Sequence, residues 1–444
     1  MNGSTSPSRP FRVVVSTVLG SSVEWYDFLI YGTAAALVFG PAFFPSASPV
    51  AGVLASFATF AVGFVARPIG GAVFGHIGDK VGRKRALTAA LLLMAASTTL
   101  IGLLPTYAAV GPLAPVLLVV LRLVQGVAVG GQWGGSMLLA TEHAPRHRRA
   151  LYGSIPQLGV PVGLVAGSVV YLVLTRVIAA DSFSVWGWRL PFLFSVVLFG
   201  VAYYIHHHVA DSPELGADAE RSARTEKSPV LQVIKERPGA IVLAGVAYAA
   251  VQAAFYIAVT GIVDYGTRVV GMSKNEMLGA VLISMVGFAG ALMLGAFLSD
   301  LIDRRIVFAI GVAWTGAWAF ALFPLVNGGG FRRVVLALFV AQLGGGFATG
   351  SLPGLAAAMF PARLRYSGAS LVYQLGAIVG GGLAPFVMVA LLDATGSSVF
   401  VSVYLASTSL VALVLIPFVR VAEEPAVPVA DPDEATCATE INNA

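Results

Sequence analysis

The chain has 444 residues, of which 57% are hydrophobic and only 11% are charged, and its mean hydropathy is +0.84. A water-soluble protein of this length could not enclose so much apolar surface, so the composition excludes a soluble globular fold and predicts several membrane crossings. The net charge of +5 comes without a basic cluster on a soluble domain, which argues against nucleic acid as a partner.

Twelve apolar runs of about 20 residues or more are long enough to cross the hydrocarbon core as helices. They lie near residues 12–40, 52–77, 86–106, 113–142, 148–175, 187–209, 238–262, 276–300, 305–326, 331–359, 366–391 and 397–421. The longest polar segment separates the sixth run from the seventh and is predicted to be a loop with at most a short surface helix. We therefore predict an all-α membrane protein with six helices in 1–209, a central loop at 210–237, six helices in 238–421 and a polar tail at 422–444.

The basic residues predict how these helices are oriented, because Lys and Arg are retained on the cytoplasmic side of short loops. With the N-terminus in the cytoplasm, 19 of the 27 basic residues fall on the cytoplasmic side and 6 on the opposite side. The remaining two, Arg67 and Arg122, fall inside predicted helices. Both termini are therefore predicted to be cytoplasmic, in a multi-pass protein of the cytoplasmic (inner) membrane.

The two halves resemble each other in their loops. The segment "GHIGDKVGRKR" returns about 221 residues later as "AFLSDLIDRRI", which aligns Asp79 with Asp300 and Arg83 with Arg304. A second pair of segments aligns Gln157 with Gln374. Parallel repeats of this kind are typical of transporters.

Small residues recur every four positions on several predicted helices, where they let helix backbones approach closely. We interpret these stripes as packing surfaces. They comprise Gly126, Gly130 and Gly134; Gly159, Gly163 and Gly167; Gly287, Ala291 and Gly295; Gly346, Gly350 and Gly354; and Gly376, Gly380 and Ala384.

The first predicted helix carries two carboxylates, Glu24 and Asp27, inside the apolar run. They form one narrow stripe with Gly20 and Tyr31, so this face is predicted to line a cavity or contact a partner helix. Two neighbouring carboxylates in a low dielectric disfavour each other's ionised form, which suits a proton carrier. The alternative is that one carboxylate only pairs with a membrane arginine to hold the helices together.

The fourth predicted helix carries Arg122 on the same face as Gln125, Gln132 and Ser136. Its guanidinium is suited to a carboxylate, whether of the substrate or of the protein. We predict that Glu24, Asp27 and Arg122 couple protons to transport. The candidate substrate-binding residues are Arg122, Tyr26, Tyr31, Arg67, Gln132, Trp133, Gln157, Gln252, Tyr256, Tyr373 and Gln374.

Other chemistries have no support in the sequence. The run His206, His207 and His208 cannot readily chelate one ion from consecutive helical positions, so no metal site is predicted. The single cysteine, Cys437, lies in the polar tail. No phosphate-binding loop, dinucleotide fingerprint or hydrolase elbow occurs in a usable context, so we expect no enzyme activity and no cofactor besides the proton gradient.

Several motifs resemble the major facilitator superfamily. The segments "GHIGDKVGRKR" and "LRLVQG" are similar to its signature loop and fourth-helix arginine motif, and "VEWYDFLIYG", "GGQWGGSMLLATEHAP" and "WGWRLPFLFS" resemble its metabolite:proton symporter branch. That branch includes carriers of shikimate, citrate, α-ketoglutarate and proline or betaine. The resemblance implies two six-helix bundles, alternating access and a monomer in the lipid bilayer. By the same resemblance, we assign a cytoplasmic gate to Asp79, Arg83, Glu142, Asp300 and Arg304.

Two departures from that branch bear on function. Gln132 stands where the fourth helix of the branch usually has Glu, and His206, His207 and His208 replace the usual arginines after the sixth helix. The first departure removes a titratable group and shifts proton coupling onto Glu24 and Asp27. We predict a proton symporter that imports a small polar metabolite, with an organic acid favoured. An uncoupled facilitator or exporter, and a transport-inactive membrane sensor, are the alternatives.

Overall fold

The computed structural model describes residues 10–81, 83–130, 132, 136–137, 140, 144, 148–197, 199–200, 202–203, 229–360 and 365–419. Every regular element in these residues is helical. The expected all-α class is confirmed.

In the first half, the described helices follow one another with short irregular joints. They are α1 (Pro10–Ala34), α2 (Gly40–Phe43), α3 (Pro49–Val81), α4 (Arg83–Leu103), α5 (Tyr107–Val110), α6 (Leu113–Gly130), α7 (Arg149–Ser154), α8 (Gly159–Val177), α9 (Ala180–Ser182) and α10 (Arg189–Phe194). A π-helical turn, Ala35–Phe39, joins α1 to α2. A 3₁₀ turn, Ile155–Leu158, joins α7 to α8, and a second π turn, Phe183–Gly187, follows α9.

The second half begins with α11 (Pro229–Glu236), the short helix that was allowed for in the central loop. It continues with α12 (Pro238–Tyr256), α13 (Ile262–Arg268), α14 (Lys274–Leu298), α15 (Arg304–Asn327), α16 (Phe331–Met359), α17 (Arg365–Gly376), α18 (Ala384–Thr395) and α19 (Val399–Leu415). π turns connect α12 to α13 (Ile257–Gly261) and α17 to α18 (Ala377–Gly382), and a 3₁₀ turn, Ile416–Phe418, follows α19.

Ten helical segments in the described residues are long and apolar enough to cross a membrane. They correspond to ten of the twelve predicted spans. The predicted span at 86–106 falls on α4, whose apolar part is only Thr88–Leu103, and the span at 187–209 extends beyond the described residues. Val65 and Ile69 on α3 are about 60% exposed on the outer surface, as expected for residues that face lipid.

Local sequence signals explain several helix ends in the second half. Ser273 and Glu276 form a capping box that begins α14, with the Ser273 side chain accepting from the Glu276 backbone and Glu276 accepting from the Ser273 backbone. Asp303 caps α15 by accepting from the Arg305 N–H at 2.9 Å. The helix α18 ends at Gly396, whose φ of 65° is left-handed and favours glycine.

The small-residue stripes bring helix backbones into direct contact, as predicted. A methyl group on Gly130 of α6 would lie 1.9 Å from the Arg67 carbonyl oxygen of α3, and one on Gly163 of α8 would lie 2.3 Å from the Ser22 oxygen of α1. In the second half, a methyl group on Gly350 of α16 would lie 2.0 Å from the carbonyl oxygen of Leu292 on α14. Gly130 therefore holds α6 close to α3, and Gly163 holds α1 close to α8, which brings the charged residues of α1, α3 and α6 together.

Candidate functional site

The two carboxylates of α1 point into the protein rather than to lipid. Glu24 is 2% exposed and Asp27 is fully buried. The face of α1 near Ser22 lies against the glycines of α8, which fixes this helix in the interior. A buried carboxylate is costly in the membrane unless it is neutral or paired, so their partners matter.

Asp27 is the centre of a polar chain that links three helices. The Thr98 hydroxyl of α4 and the Gln125 amide of α6 both bond to its carboxylate. The Gln125 carbonyl oxygen in turn accepts from Arg122 Nη1. Arg122 therefore reaches the proton-carrier candidate through an amide and not through a direct ion pair.

Thr98 can serve both charge states of Asp27. Its hydroxyl has one hydrogen, which can go either to Asp27 Oδ1 or to the Met94 carbonyl oxygen at 2.9 Å. When Asp27 is ionised, Thr98 donates to it. When Asp27 is protonated, it donates to Thr98, which then donates to Met94. The hydrogen bonds around Thr98 therefore fit either charge state of Asp27 without leaving a donor facing a donor.

Arg122 is enclosed by aromatic rings. Its guanidinium carbon lies 4.0 Å from the centroid of Tyr31, 4.5 Å from that of Phe28 and 5.0 Å from that of Phe60. A methyl group on Gly63 would lie 2.6 Å from Arg122 Nε, so only glycine leaves room for the side chain. Such cation–π contacts stabilise a desolvated guanidinium.

Arg67, on α3, is fully buried and packs against the edge-to-face pair Phe28 and Phe64, with its guanidinium carbon 4.3 Å and 4.4 Å from the two ring centroids. Its nearest carboxylate oxygen, Glu24 Oε1, lies 3.9 Å from Nη2, beyond hydrogen-bond distance. None of its three nitrogens hydrogen-bonds with normal geometry to a described residue.

The second half closes over this cluster with aromatic side chains. Trp25 stacks on Tyr256 at 5.9 Å and meets Phe255 edge-on at 5.4 Å between ring centroids. Phe64 of the first half meets Tyr256 at 5.3 Å. The Tyr256 hydroxyl lies close enough to Arg67 to interact electrostatically, but it makes no hydrogen bond of normal geometry to a described residue. The candidate site therefore lies where the two halves meet.

A small cavity with a mostly apolar lining adjoins Glu24. Its volume is about 10 Å³, close to what one water molecule needs, and its polar lining comprises Glu24, Ser21, Ser136 and Gln157. Pro353 of α16 contributes from the second half. This places Gln157 beside Glu24, on the side of the carboxylate that lies towards the start of α1.

The remaining predicted residues lie in different surroundings. Gln132 donates to the Gly20 carbonyl oxygen at 2.8 Å, and the Tyr26 hydroxyl donates to the Pro191 carbonyl oxygen at 2.8 Å, within the first half. Tyr373 packs against Tyr248 with ring centroids 5.6 Å apart. The side-chain nitrogens of Gln252 and Gln374 are buried without a hydrogen bond to any described residue. Trp133, His206, His207 and His208 lie outside the described residues.

Among the residues assigned to a gate, Asp300 joins the two halves. Its carboxylate accepts from the backbone N–H groups of Ala150 and Leu151 at 3.0 Å each, in the first turn of α7. Arg304 donates to the Gly354 carbonyl oxygen at 2.8 Å. The Ser154 hydroxyl donates to the Gly350 carbonyl oxygen at 2.8 Å. The side chains of Asp79 and Arg83, and the whole of Glu142, lie outside the described part of the chain.

Sequence reasoning missed Thr98 and the phenylalanines that enclose the arginines. Nothing in the apolar run around Thr98 distinguishes it from Ser97 and Thr99, which bond to backbone carbonyls of their own helix. The sequence places Gln125 on one helix face with Arg122 and does not indicate its bond to Asp27. The only signal in the sequence is that Thr98 is a hydroxyl residue placed at about the same level of the membrane as Asp27.

Comparisons with known proteins agree with this architecture. The family model for the Major Facilitator Superfamily matches residues 28–373. The inner membrane metabolite transport protein YhjE of Escherichia coli is 39% identical over 381 residues, covering 85% of this chain and 86% of that protein. The shikimate transporter of the same organism is 38% identical, covering 88% and 90%.

Among solved structures, the partially occluded inward-open xylose transporter XylE from E. coli has a TM-score of 0.75 with 18% identity, covering 95% of this chain and 100% of that one, which shows the shared fold. The predicted resemblance is confirmed. The chain therefore belongs to the Major Facilitator Superfamily, as a multi-pass inner-membrane transport protein and not an enzyme.

Proposed function

We propose that this protein is a proton-coupled symporter that imports a small organic acid by alternating access. In this proposal it has twelve spans with both termini in the cytoplasm, arranged as halves at 1–209 and 238–421, and it works as a monomer. The observation that carries the proposal is the buried Asp27, linked through Gln125 to Arg122 at the junction of the halves. The names of two relatives, a shikimate transporter and a D-xylose-proton symporter, support transport of a small metabolite and coupling to protons.

The proton step follows from the geometry of Asp27. An ionised Asp27 accepts from Gln125 Nε2, and a protonated carboxyl accepts that bond less strongly. Because the same amide accepts from Arg122, protonation loosens the link between α1 and α6. Arg122 Nε and Nη2 have no hydrogen bond to a described residue, so this guanidinium can shift when the link loosens. Proton binding is thereby connected to the packing of the first half.

Alternating access requires contacts between the halves that form on one side when they break on the other. On the side predicted to be cytoplasmic, Asp300 binds the start of α7. On the opposite side, the Thr175 hydroxyl of α8 bonds to the Asn275 side chain of α14. In the proposed cycle, both sets of contacts close around the loaded site and open in turn.

The test is uptake into proteoliposomes with and without an inward proton gradient. The panel comprises shikimate, benzoate, α-ketoglutarate, citrate, proline and betaine, each radiolabelled. The wild type should accumulate at least one acid above equilibrium only when the gradient is present, and Asp27→Asn should abolish accumulation. Asp303→Asn, which removes an exposed carboxylate in the loop before α15, is the control that should transport normally.

Three results would contradict the proposal. If uptake only equilibrates and does not depend on pH or on Asp27, the protein is an uncoupled facilitator and the carboxylates are structural. Accumulation that persists in Asp27→Asn would remove Asp27 from the proton path. If no member of the panel is transported, the proposed substrate class is wrong.

A further inference from the structure

The two buried arginines of the site differ in what they contact. Arg122 is bonded through Gln125 to Asp27. Arg67 is equally buried and lies 3.9 Å from Glu24, yet all three of its nitrogens lack a hydrogen bond of normal geometry to a described residue, whereas Arg122 lacks such a bond at two. A guanidinium carries five N–H donors, and leaving them unmet inside a protein is expensive. An arrangement of this kind is expected where a ligand supplies the acceptors.

The surroundings of Arg67 specify the shape of such a ligand. A carboxylate matches the guanidinium fork with two parallel hydrogen bonds. Phe28 and Phe64 contact the guanidinium from neighbouring directions, because their own ring centroids lie only 5.1 Å apart, and Trp25 and Tyr256 lie beside this cluster. The Tyr256 hydroxyl and, one helical turn earlier on the same face, the unbonded Gln252 nitrogen offer donors from the second half. A ligand bound to Arg67 and to these groups would span both halves.

The balance of charge limits the ligand further. Among the described residues, the buried charged side chains are Glu24, Asp27, Arg67, Arg122 and Asp264. Asp264 is paired with Arg268 at 3.0 Å in α13, which leaves two carboxylates and two arginines at the site. This set is neutral when both carboxylates are ionised, and it carries one positive charge when Asp27 is protonated. A single negative charge restores neutrality, which a low-dielectric interior strongly favours.

We propose that Arg67 binds the carboxylate of a monoanionic substrate while Arg122 serves the proton site, so that one proton and one monocarboxylate cross together without net charge. This inference rests on the proposed function. Within the described part of the chain, the other charged or titratable groups that interact with Arg67 are Glu24, Arg122, Tyr248, Tyr256 and Tyr373. The tyrosines stay neutral at physiological pH, so the count depends on the four charged residues.

The first experiment uses the unmodified protein in proteoliposomes. The pH gradient is held fixed while a potassium gradient with valinomycin sets the membrane potential. For radiolabelled shikimate and benzoate, both monocarboxylates, initial uptake and final accumulation should be the same within about 1.5-fold at zero potential and with the interior negative. A dependence on potential of fivefold or more would overturn the one-to-one charge balance. If only α-ketoglutarate, citrate or a zwitterion accumulates, the claim that the substrate is a monoanion is wrong, although proton symport itself still holds.

The second experiment measures equilibrium binding of shikimate and benzoate to purified variants. Arg67→Gln should weaken binding about 100-fold, and Arg67→Lys, which keeps the charge, should recover at least tenfold of that loss. The double variant Asp264→Asn with Arg268→Gln removes the pair of a buried carboxylate and a partly exposed arginine elsewhere and should bind normally. Binding by Arg67→Gln within threefold of the wild type would overturn the assignment, as would equal loss in Arg67→Lys. If Arg67→Gln fails to fold, the potential measurement on the wild type still tests the charge balance, and binding to Arg67→Lys still tests the role of Arg67.

Failure of this inference and failure of the proposed function are distinguishable. If the wild type accumulates nothing against a gradient, the proposed function fails. If it accumulates an acid through Asp27 but Arg67→Gln binds that acid normally, only the role of Arg67 fails.

Discussion

At the scale of single residues, the hydroxyl of Thr98 decides how tightly Asp27 holds its proton. It can donate to the ionised carboxylate and can accept from the protonated one. A hydrogen bond to a charged group contributes about 1.5–3 kcal/mol, and about 1.4 kcal/mol corresponds to a tenfold change in an equilibrium constant. Loss of the hydroxyl therefore favours the protonated form and, in the proposed cycle, opposes proton release inside.

We expect Thr98→Val to lower gradient-driven uptake about tenfold. Exchange of labelled for unlabelled substrate, which does not require Asp27 to lose its proton, should stay within about twofold of the wild type. Thr98→Ser keeps the hydroxyl and should behave normally in both assays. Equal slowing of uptake and exchange in Thr98→Val would mean that the residue acts on packing and not on the proton.

The residues of the site differ in how readily the sequence reveals them. Asp27, Glu24, Arg67 and Arg122 stand out because charge inside an apolar run is costly and therefore rare. Thr98 does not stand out, because a hydroxyl on a membrane helix can always bond to its own backbone. The separate roles proposed for Arg67 and Arg122 depend on their neighbours, since Arg122 contacts the Gln125 amide and Arg67 lies near the Glu24 carboxylate. Residue spacing along one helix does not predict such contacts between helices.

At the scale of helices, the contact between α3 and α6 sets the positions of both arginines. A methyl group on Gly70 would lie 1.9 Å from the Val127 carbonyl oxygen, whereas one on the adjacent Gly71 would meet nothing closer than 3.5 Å. The backbones can be this close only because Gly70 has no side chain. Overpacking of a tight contact typically costs about 1–3 kcal/mol.

We expect Gly70→Ala to be destabilising and Gly71→Ala to be tolerated. The purified Gly70→Ala variant in detergent should unfold at a lower temperature than the wild type, which corresponds to a loss of about 1–3 kcal/mol in the free energy of unfolding. Gly71→Ala should unfold at the wild-type temperature. Uptake should fall with the first variant, because α3 and Arg67 are pushed away from α6. Identical unfolding midpoints for the two variants would show that the helices can separate freely at this point.

The sequence predicted that the glycine stripes are packing surfaces, and this prediction is confirmed, but it could not identify the partners. Periodicity shows which face of a helix is smooth and leaves open which helix lies on it. The pairing of α8 with α1, of α6 with α3 and of α16 with α14 follows from the whole arrangement. Ten of the twelve predicted spans are helices of sufficient length and apolarity, because the cost of an unpaired backbone in lipid makes long apolar runs helical.

At the scale of the whole molecule, Asp300 holds the halves together on one side. Its negative charge lies at the N-terminal end of α7, where free backbone N–H groups and the helix dipole favour an anion. The neighbouring Asp303 binds Arg305 within its own half instead. The two aspartates therefore provide a matched comparison between a contact across the halves and one within a half.

We expect Asp300→Ala to open this side of the protein more often. Ser154 is fully buried between the halves, so a cysteine introduced there should react slowly with a maleimide in a Cys437→Ser background. Asp300→Ala should speed this labelling about tenfold, since it removes charge-assisted bonds of about 1.5–3 kcal/mol. Asp303→Ala should leave the labelling rate unchanged. Equally slow labelling in both variants would assign the closure to other contacts.

The π turns have a consequence for the history of the chain. Ala35–Phe39 and Ile257–Gly261 each widen the helix that begins one half, and they start 222 residues apart (257 minus 35). That interval is almost the same as the interval of about 221 residues between the two copies of the Asp79 and Asp300 loop. Of the four π turns in the described residues, these two are the pair that recurs at the repeat interval. This recurrence favours a π turn that already existed in one ancestral segment. Duplication of that segment would then have placed a copy in each half.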